Sequence, residues 1–269
     1  MSRARTVLAS TARALLCLLP LLLLAPAAGA RPLRLASDDW CPYVCTNSGS
    51  PGGYLVDLAG LALEAEGYQA QALSMPLSRA LSAARKGEID GVYAPALDAP
   101  LRMSAVLTRS RACFYTLAED DWSYAGLASL QGRVLGVIED YGYDDGPMDG
   151  YIRQEHGSHR SRNGSLEISY GQTAGQNNLQ KLLHRRFPVL LEHEAVMKQL
   201  LAKENAVQRV RRAGCLEKSL PLVVGFSPAA ADAPAWIAAL ARGVRKLEAS
   251  GQARALRQRY GVTEDGAQP

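Results

Sequence analysis

The chain has 269 residues, 48% of them apolar and 21% charged, and its 30 Lys and Arg against 26 Asp and Glu give a formal net charge of +4. Arg3, Arg5 and Arg13 hold most of that excess, so the remainder is nearly neutral and lacks the surplus of basic charge that a nucleic-acid partner needs. Its length suffices for one large or two small domains with a genuine core.

The first thirty residues read as a signal peptide. A basic start is followed by the apolar run Leu15 to Leu24, broken only by Cys17 and Pro20, and by Ala28-Gly29-Ala30, the small-x-small form that signal peptidase cuts. The run is shorter than the roughly 20 apolar residues of a membrane span, and Leu16 before Cys17 argues against a lipoprotein anchor. Cleavage after Ala30 and export to the periplasm are expected. No later apolar run approaches spanning length, so the mature chain is expected to be soluble.

Past residue 30 strands and helices alternate. Leu33 to Ala36 is a short strand, and Leu55 to Glu66 a helix with Leu55, Leu58, Ala59, Ala62 and Leu63 on one face. Tyr68 to Leu73 predicts a second strand, Ser78 to Lys86 a second helix and Ile89 to Tyr93 a third strand, an order that calls for a parallel sheet. The pattern then breaks. Pro95 to Met103 is a loop, Ala112 to Ala118 an aromatic strand, and the first crossing to another lobe is placed after it. A second set follows: a strand over Val134 to Ile138, a turn-rich loop over Glu139 to Asp149, a short helix over Met148 to Glu155 and a polar connection over His156 to Gly164. Next come a strand over Leu166 to Tyr170, a helix over Gln176 to His184, a strand over Val189 to Leu191 and a helix over Glu194 to Lys203. Val207 to Val210 is a strand candidate, Leu220 to Phe226 carries the chain back, and two helices span Pro234 to Tyr260 with a break near Ser250-Gly251. The expected organisation is a signal peptide over 1–30, a first lobe over 31–118 and 220–262, a second lobe over 119–219 and a disordered tail over 263–269. Two α/β lobes joined by two strands enclose a cleft, the usual place for a small ligand.

Four cysteines remain past residue 30, and an even number in an exported chain reads as disulfides. Cys41 and Cys45 flank Pro42 closely enough to bridge if the loop turns back, which by elimination leaves Cys113 with Cys215; the sequence leaves the connectivity open. The histidines do not make a metal site: His156 and His159 fall in a polar stretch, while His184 and His193 flank the Arg185-Arg186 turn and read as exposed. No Gly-x-Ser-x-Gly elbow or other catalytic set is present, and no cofactor is implied.

Several segments together resemble the bacterial extracellular solute-binding proteins of the polar amino-acid ABC transporter type (family 3). These are Trp40-Cys41-Pro42-Tyr43, Gly53-Tyr54-Leu55-Val56-Asp57-Leu58, Gly87-Glu88-Ile89-Asp90-Gly91, Leu130 through Val137, and the ending from Leu247 through Gly251 to Tyr260-Gly261. The resemblance implies an α/β, two-lobed periplasmic-binding-protein clamshell with two hinge crossings and a ligand enclosed between the lobes. It places Arg102 where the family's arginine holds the ligand carboxylate, a task suited to forked guanidinium donors. Trp40, Tyr43 and Tyr54 would line the first-lobe wall. Tyr141, Gly142 and Tyr143 would close from the second lobe with backbone N–H groups, and Glu192 would meet the ligand amine.

The implied function is capture of a small polar solute, an amino acid or related carboxylate, by a monomer that delivers it to an inner-membrane ABC permease or receptor. Two alternatives stay open. A few relatives of this fold are dehydratases of cyclic carboxylic acids, for which Glu192 or Asp144 would be the general acid. A ligand sensor for a membrane receptor is the other.

Overall fold

The computed structural model describes residues 31–45, 52–157 and 164–263. The expected signal peptide, part of the polar connection and all but residue 263 of the expected tail lie outside the described residues.

The first half runs β1 (Leu33–Ser37), α1 (Tyr54–Glu64), β2 (Ala70–Ser74), α2 (Leu77–Arg85), β3 (Gly91–Tyr93), β4 (Arg102–Met103), β5 (Thr108–Ser110) and β6 (Ala112–Leu117). A 3-10 turn over Leu127–Leu130 leads into β7 (Leu135–Ile138), α3 (Pro147–Gly157), β8 (Leu166–Ser169), α4 (Ala174–Leu183), β9 (Val189–His193), α5 (Glu194–Lys203) and β10 (Val210–Cys215). β11 (Leu220–Leu222), β12 (Val224–Phe226), α6 (Ala233–Ala249) and α7 (Gln252–Tyr260) complete the chain.

These strands form two five-stranded sheets, β2-β1-β3-β12-β4 and β10-β6-β9-β7-β8. In each, three parallel strands from successive strand-helix units are joined by an antiparallel strand: β12 beside β3 in the first, β6 beside β9 in the second. The two-lobed α/β architecture expected from the alternation is therefore present. A two-stranded antiparallel ribbon of β5 and β11 lies where both crossings pass side by side.

The first crossing comes earlier than the sequence placed it. β6 was assigned to the first lobe by its local apolarity, but it pairs on both edges within the second sheet, with β9 and β10, and that double pairing buries it. β10 likewise starts at Val210 rather than Val207, which is exposed.

Helix α1 buries Tyr54, Leu55, Leu58, Ala59, Ala62 and Leu63 along one face, the spacing of an amphipathic helix, against α6. Gly243 permits that contact, since a Cβ there would stand 1.9 Å from the Ala62 carbonyl oxygen. The start of α1 is built onto the loop after β1: the N–H groups of Tyr54 and Leu55, among those a helix start leaves unpaired, donate to the carbonyls of Pro42 and Tyr43. Gly53 makes this possible with φ +111°, where a Cβ would meet the Tyr43 oxygen at 2.6 Å.

Both disulfides form as read, Cys41–Cys45 and Cys113–Cys215. The first closes the loop carrying Trp40 and Tyr43; the second joins β6 to β10 at directly paired positions. Their sequence separations of 4 and 102 residues predict unequal stabilisation, because loop-closure entropy grows with loop length. Replacing Cys113 and Cys215 by alanine should lower unfolding free energy by roughly 2–5 kcal/mol in urea titrations, and replacing Cys41 and Cys45 by less. Equal losses would contradict that ordering.

Candidate functional site

Parallel sheets present their loops beyond the carboxyl ends of their strands, and here those ends of the two sheets meet. From the first lobe come Asp38 and Trp40, just past β1. From the second come Tyr141 and Tyr143, past β7, with Glu192 and His193 at the end of β9.

The Tyr141 hydroxyl donates to Asp38 Oδ2 at 2.8 Å, and the Trp40 indole N–H donates to Glu192 Oε1 at 3.4 Å. Both bonds cross between lobes. Trp40 also meets the His193 ring edge-on at 5.0 Å and the Tyr141 ring at 5.9 Å, while Tyr143 stacks on His193 at 5.7 Å. Around this centre the Asp39 N–H donates to the Gln172 carbonyl, Gln172 bonds Ser74, and Arg153 pairs with Asp98 at 3.0 Å.

His193 joins these contacts to the hinge. Its Nε2 lies 3.1 Å from the Gly142 carbonyl, which can only accept, so Nε2 carries the proton and Nδ1 accepts from the Ser110 hydroxyl at 2.9 Å. Ser110 lies on β5, beside the Tyr43 hydroxyl. Burial holds the imidazole near a pKa of about 4, so the ring is neutral.

Burial also pushes the Asp38 carboxyl up to about 7, although the bond from Tyr141 opposes the rise, and it raises Glu192 to about 8. Glu192 Oε1 accepts from the His193 N–H and from Trp40; Oε2 is buried with no hydrogen-bond partner among the described residues.

Two of the spaces that flank this seam bear on the site. One, of about 10 Å³, lies against Asp38, Trp40 and Tyr141 and has room for a single water at most. The other, about 290 Å³, is walled by Arg85 and Ala96 to Pro100 of the first lobe and by Glu139 to Gly142, Ile152 and Arg153 of the second.

The residues singled out from sequence scatter over four environments. Trp40 and Glu192 meet each other across the seam, and Tyr141 and Gly142 wall the larger space. Tyr43, Tyr54 and Tyr143 are fully buried: Tyr43 lies beside Ser110, Tyr54 lies beside Arg257, and the Tyr143 hydroxyl accepts from the Ile138 N–H. Arg102 sits exposed on β4, donates to the Pro228 carbonyl and borders neither space.

The loop after β7 also differs from its expected role as a donor of backbone N–H groups. Those of Tyr143, Asp144 and Asp145 are taken by the Asp149 carboxylate, while Asp144 accepts from the N–H groups of Met148 and Asp149 at the start of α3. Its acidic crowding is thus a capping arrangement.

His193 was read as exposed and is fully buried, because β9 runs two residues beyond Leu191 and carries both Glu192 and His193 into the seam. Asp38 and Ser110 were not singled out. The signal for Asp38 was its position directly beyond the first strand; nothing local marked Ser110.

No protein-family model and no curated protein matches the sequence. Solved structures do. A histidine kinase sensor domain with similarity to periplasmic binding proteins superposes with a TM-score of 0.68 at 17% identity, over 86% of this chain and 96% of that one. The chain adopts the periplasmic-binding-protein fold. An ancestral arginine-binding protein bound to arginine matches with a TM-score of 0.68 at 15% identity, over 85% of this chain and 97% of that one. The arginine-, lysine-, histidine-binding protein ArtJ from Geobacillus stearothermophilus matches with 0.68 at 13%, over 89% and 97%. In this periplasmic-binding-protein fold the seam and the larger space both lie in the cleft between the lobes.

The His193 assignment predicts a pH response of known sign. A depressed value in the folded state means stability is present above the ordinary histidine value of 6.5 and is lost as pH falls toward about 4. In NMR titrations the His193 ring should show no protonation shift between about pH 5.5 and 8. A titration near neutral pH would contradict the burial and the tautomer.

Proposed function

We propose that the protein is a periplasmic solute-binding protein that closes on a small polar solute and delivers it to an inner-membrane ABC permease. The observation that carries this reading is the space of about 290 Å³ walled by both lobes, close to the lower end of small-ligand pockets. A solute there touches both lobes at once, which is what allows binding to shift the open-closed balance. The fold's likeness to arginine-binding proteins and to amino-acid-binding ArtJ supports an amino acid or a related compound as the solute.

In this proposal Arg153 takes the role that the resemblance gave to Arg102. It faces the space, and its bond to Asp98 joins two exposed groups, so it is worth little and is readily exchanged for a solute carboxylate. Glu139 and Asp140 line the same wall and suit an ammonium or guanidinium group. With Asp98 and Asp145 also present against Arg85 and Arg153, the lining favours a solute bearing positive charge.

Calorimetry against amino acids, organic acids and polyamines tests the reading. At least one basic amino acid should bind in the micromolar range, and Arg153→Ala should weaken carboxylate-bearing solutes by about tenfold or more, the loss of one charge-assisted pair. Binding no tighter than millimolar across the panel would contradict it.

One observation favours an enzymatic reading: the buried Glu192 carboxyl, raised to about 8 with an unpartnered oxygen, has the character of a general acid. Asp144, the other candidate acid, is occupied in capping α3. Turnover of a cyclic carboxylic acid in the same panel, abolished by Glu192→Gln, would favour catalysis over delivery.

A further inference from the structure

The bonds that cross the seam come from this chain alone, and two of them end on buried carboxyl groups. We propose that the seam is a proton-held latch, in which Asp38 of the first lobe and Glu192 of the second keep their protons while the lobes are together and release them as the lobes part. The latch needs only the two lobes and does not rest on the cleft's taking a solute.

Its basis is the absence of countercharge among the groups that face these carboxyls. Asp38 is 2% exposed, and around it stand Ser37 and Asp39 of its own segment, with Tyr141 and Tyr143 of the opposite lobe. Glu192 is 1% exposed, and around it stand Trp40 from across the seam, Tyr115 of β6, Tyr141 and Tyr143 of the β7 loop, Gly175 of α4 and the neutral His193. The nearby cations Arg111 and Arg212 both pair with Glu194. A charge on Asp38 raises the cost of ionising Glu192, and Asp39 does the same to Asp38. Two carboxylates buried in one seam with no cation beside them among the described residues do not both ionise there.

Opening the cleft returns both groups to water and to ordinary carboxylate behaviour, so the closed form binds protons that the open form gives up. For a group raised in the closed state the sign is fixed. Below the ordinary values of 3.8 and 4.5 both forms hold these protons and the two carboxyls favour closure most, while the buried neutral His193 acts oppositely, favouring closure above 6.5 and opposing it as pH falls toward about 4. As pH rises from there through about 7 for Asp38 and about 8 for Glu192, closure weakens; above that it changes no further. The raised values imply that the closed-to-open ratio falls by about a hundredfold or more across this window. Linkage is reciprocal, so anything that opens the lobes also releases protons.

The test is a distance between one spin label on each lobe, placed by Arg79→Cys on α2 and Gln154→Cys on α3, both exposed positions. The four cysteines among the described residues are already bonded to one another and leave these two thiols free for labelling. Pulsed dipolar spectra of the wild-type background should show mainly the short distance near pH 5 and a longer population that grows as pH rises to about 8 and no further. With Asp38→Asn and Glu192→Gln, neutral at every pH and close in shape, the short distance should persist throughout. A wild-type distance that does not change with pH overturns the latch without recourse to any variant. A pH-driven opening that survives in the double amide variant overturns it as well.

Discussion

Two carboxyl groups, Asp38 and Glu192, are buried where the sheets meet, and the rest of the cleft is arranged around the cost of keeping them there. Burying a carboxylate is expensive unless it is paired, and among the described residues no cation pairs with either one. The chain meets the cost with aromatic donors carried on the opposite lobe, the Tyr141 hydroxyl for Asp38 and the Trp40 indole for Glu192. Each group therefore takes one of its hydrogen bonds from a residue of the opposite lobe, beside those it takes from its own.

The surrounding structure fixes those donors in place. The Cys41–Cys45 bond and the carbonyls of Pro42 and Tyr43, which receive the first N–H groups of α1, tie the Trp40 loop to the first-lobe core. On the other side, Asp149 gathers the N–H groups of the loop that carries Tyr141 and Tyr143. His193 connects the seam to Ser110 at the crossing between lobes, so the point about which the lobes turn and the point at which they meet share one hydrogen-bonded chain. A wall held this way is ordered before any solute arrives, which lowers the ordering cost of binding.

Much of the architecture was readable in the sequence because its signals are local. The buried face of α1 and the repeated strand-helix alternation follow from periodicity over a few residues, and an even cysteine count in a chain expected to be exported pointed to disulfides. What failed was long-range. β4 and β5 are two and three residues long and exist only through pairing with β12 and β11. The apolar pattern of β6 reports burial but not which sheet provides it. At the site, the positions beyond β1 and β9 were found, yet the residues that meet there, Asp38 with Tyr141 and Trp40 with Glu192 and His193, are about a hundred or more positions apart. His193 was misread because its neighbours in sequence are an arginine turn, whereas its neighbours in space are aromatic rings.

The lobes are coupled through these cross-seam pairs, and a double-mutant cycle between Asp38→Ala, which removes the acceptor, and Tyr141→Phe, which removes the donor, measures that coupling directly. With unfolding free energies taken near pH 5, where the seam holds its protons, the account predicts an interaction energy of about 1 kcal/mol or more between the two sites. Additive effects, with no interaction energy, would mean that the lobes are held by something other than the seam.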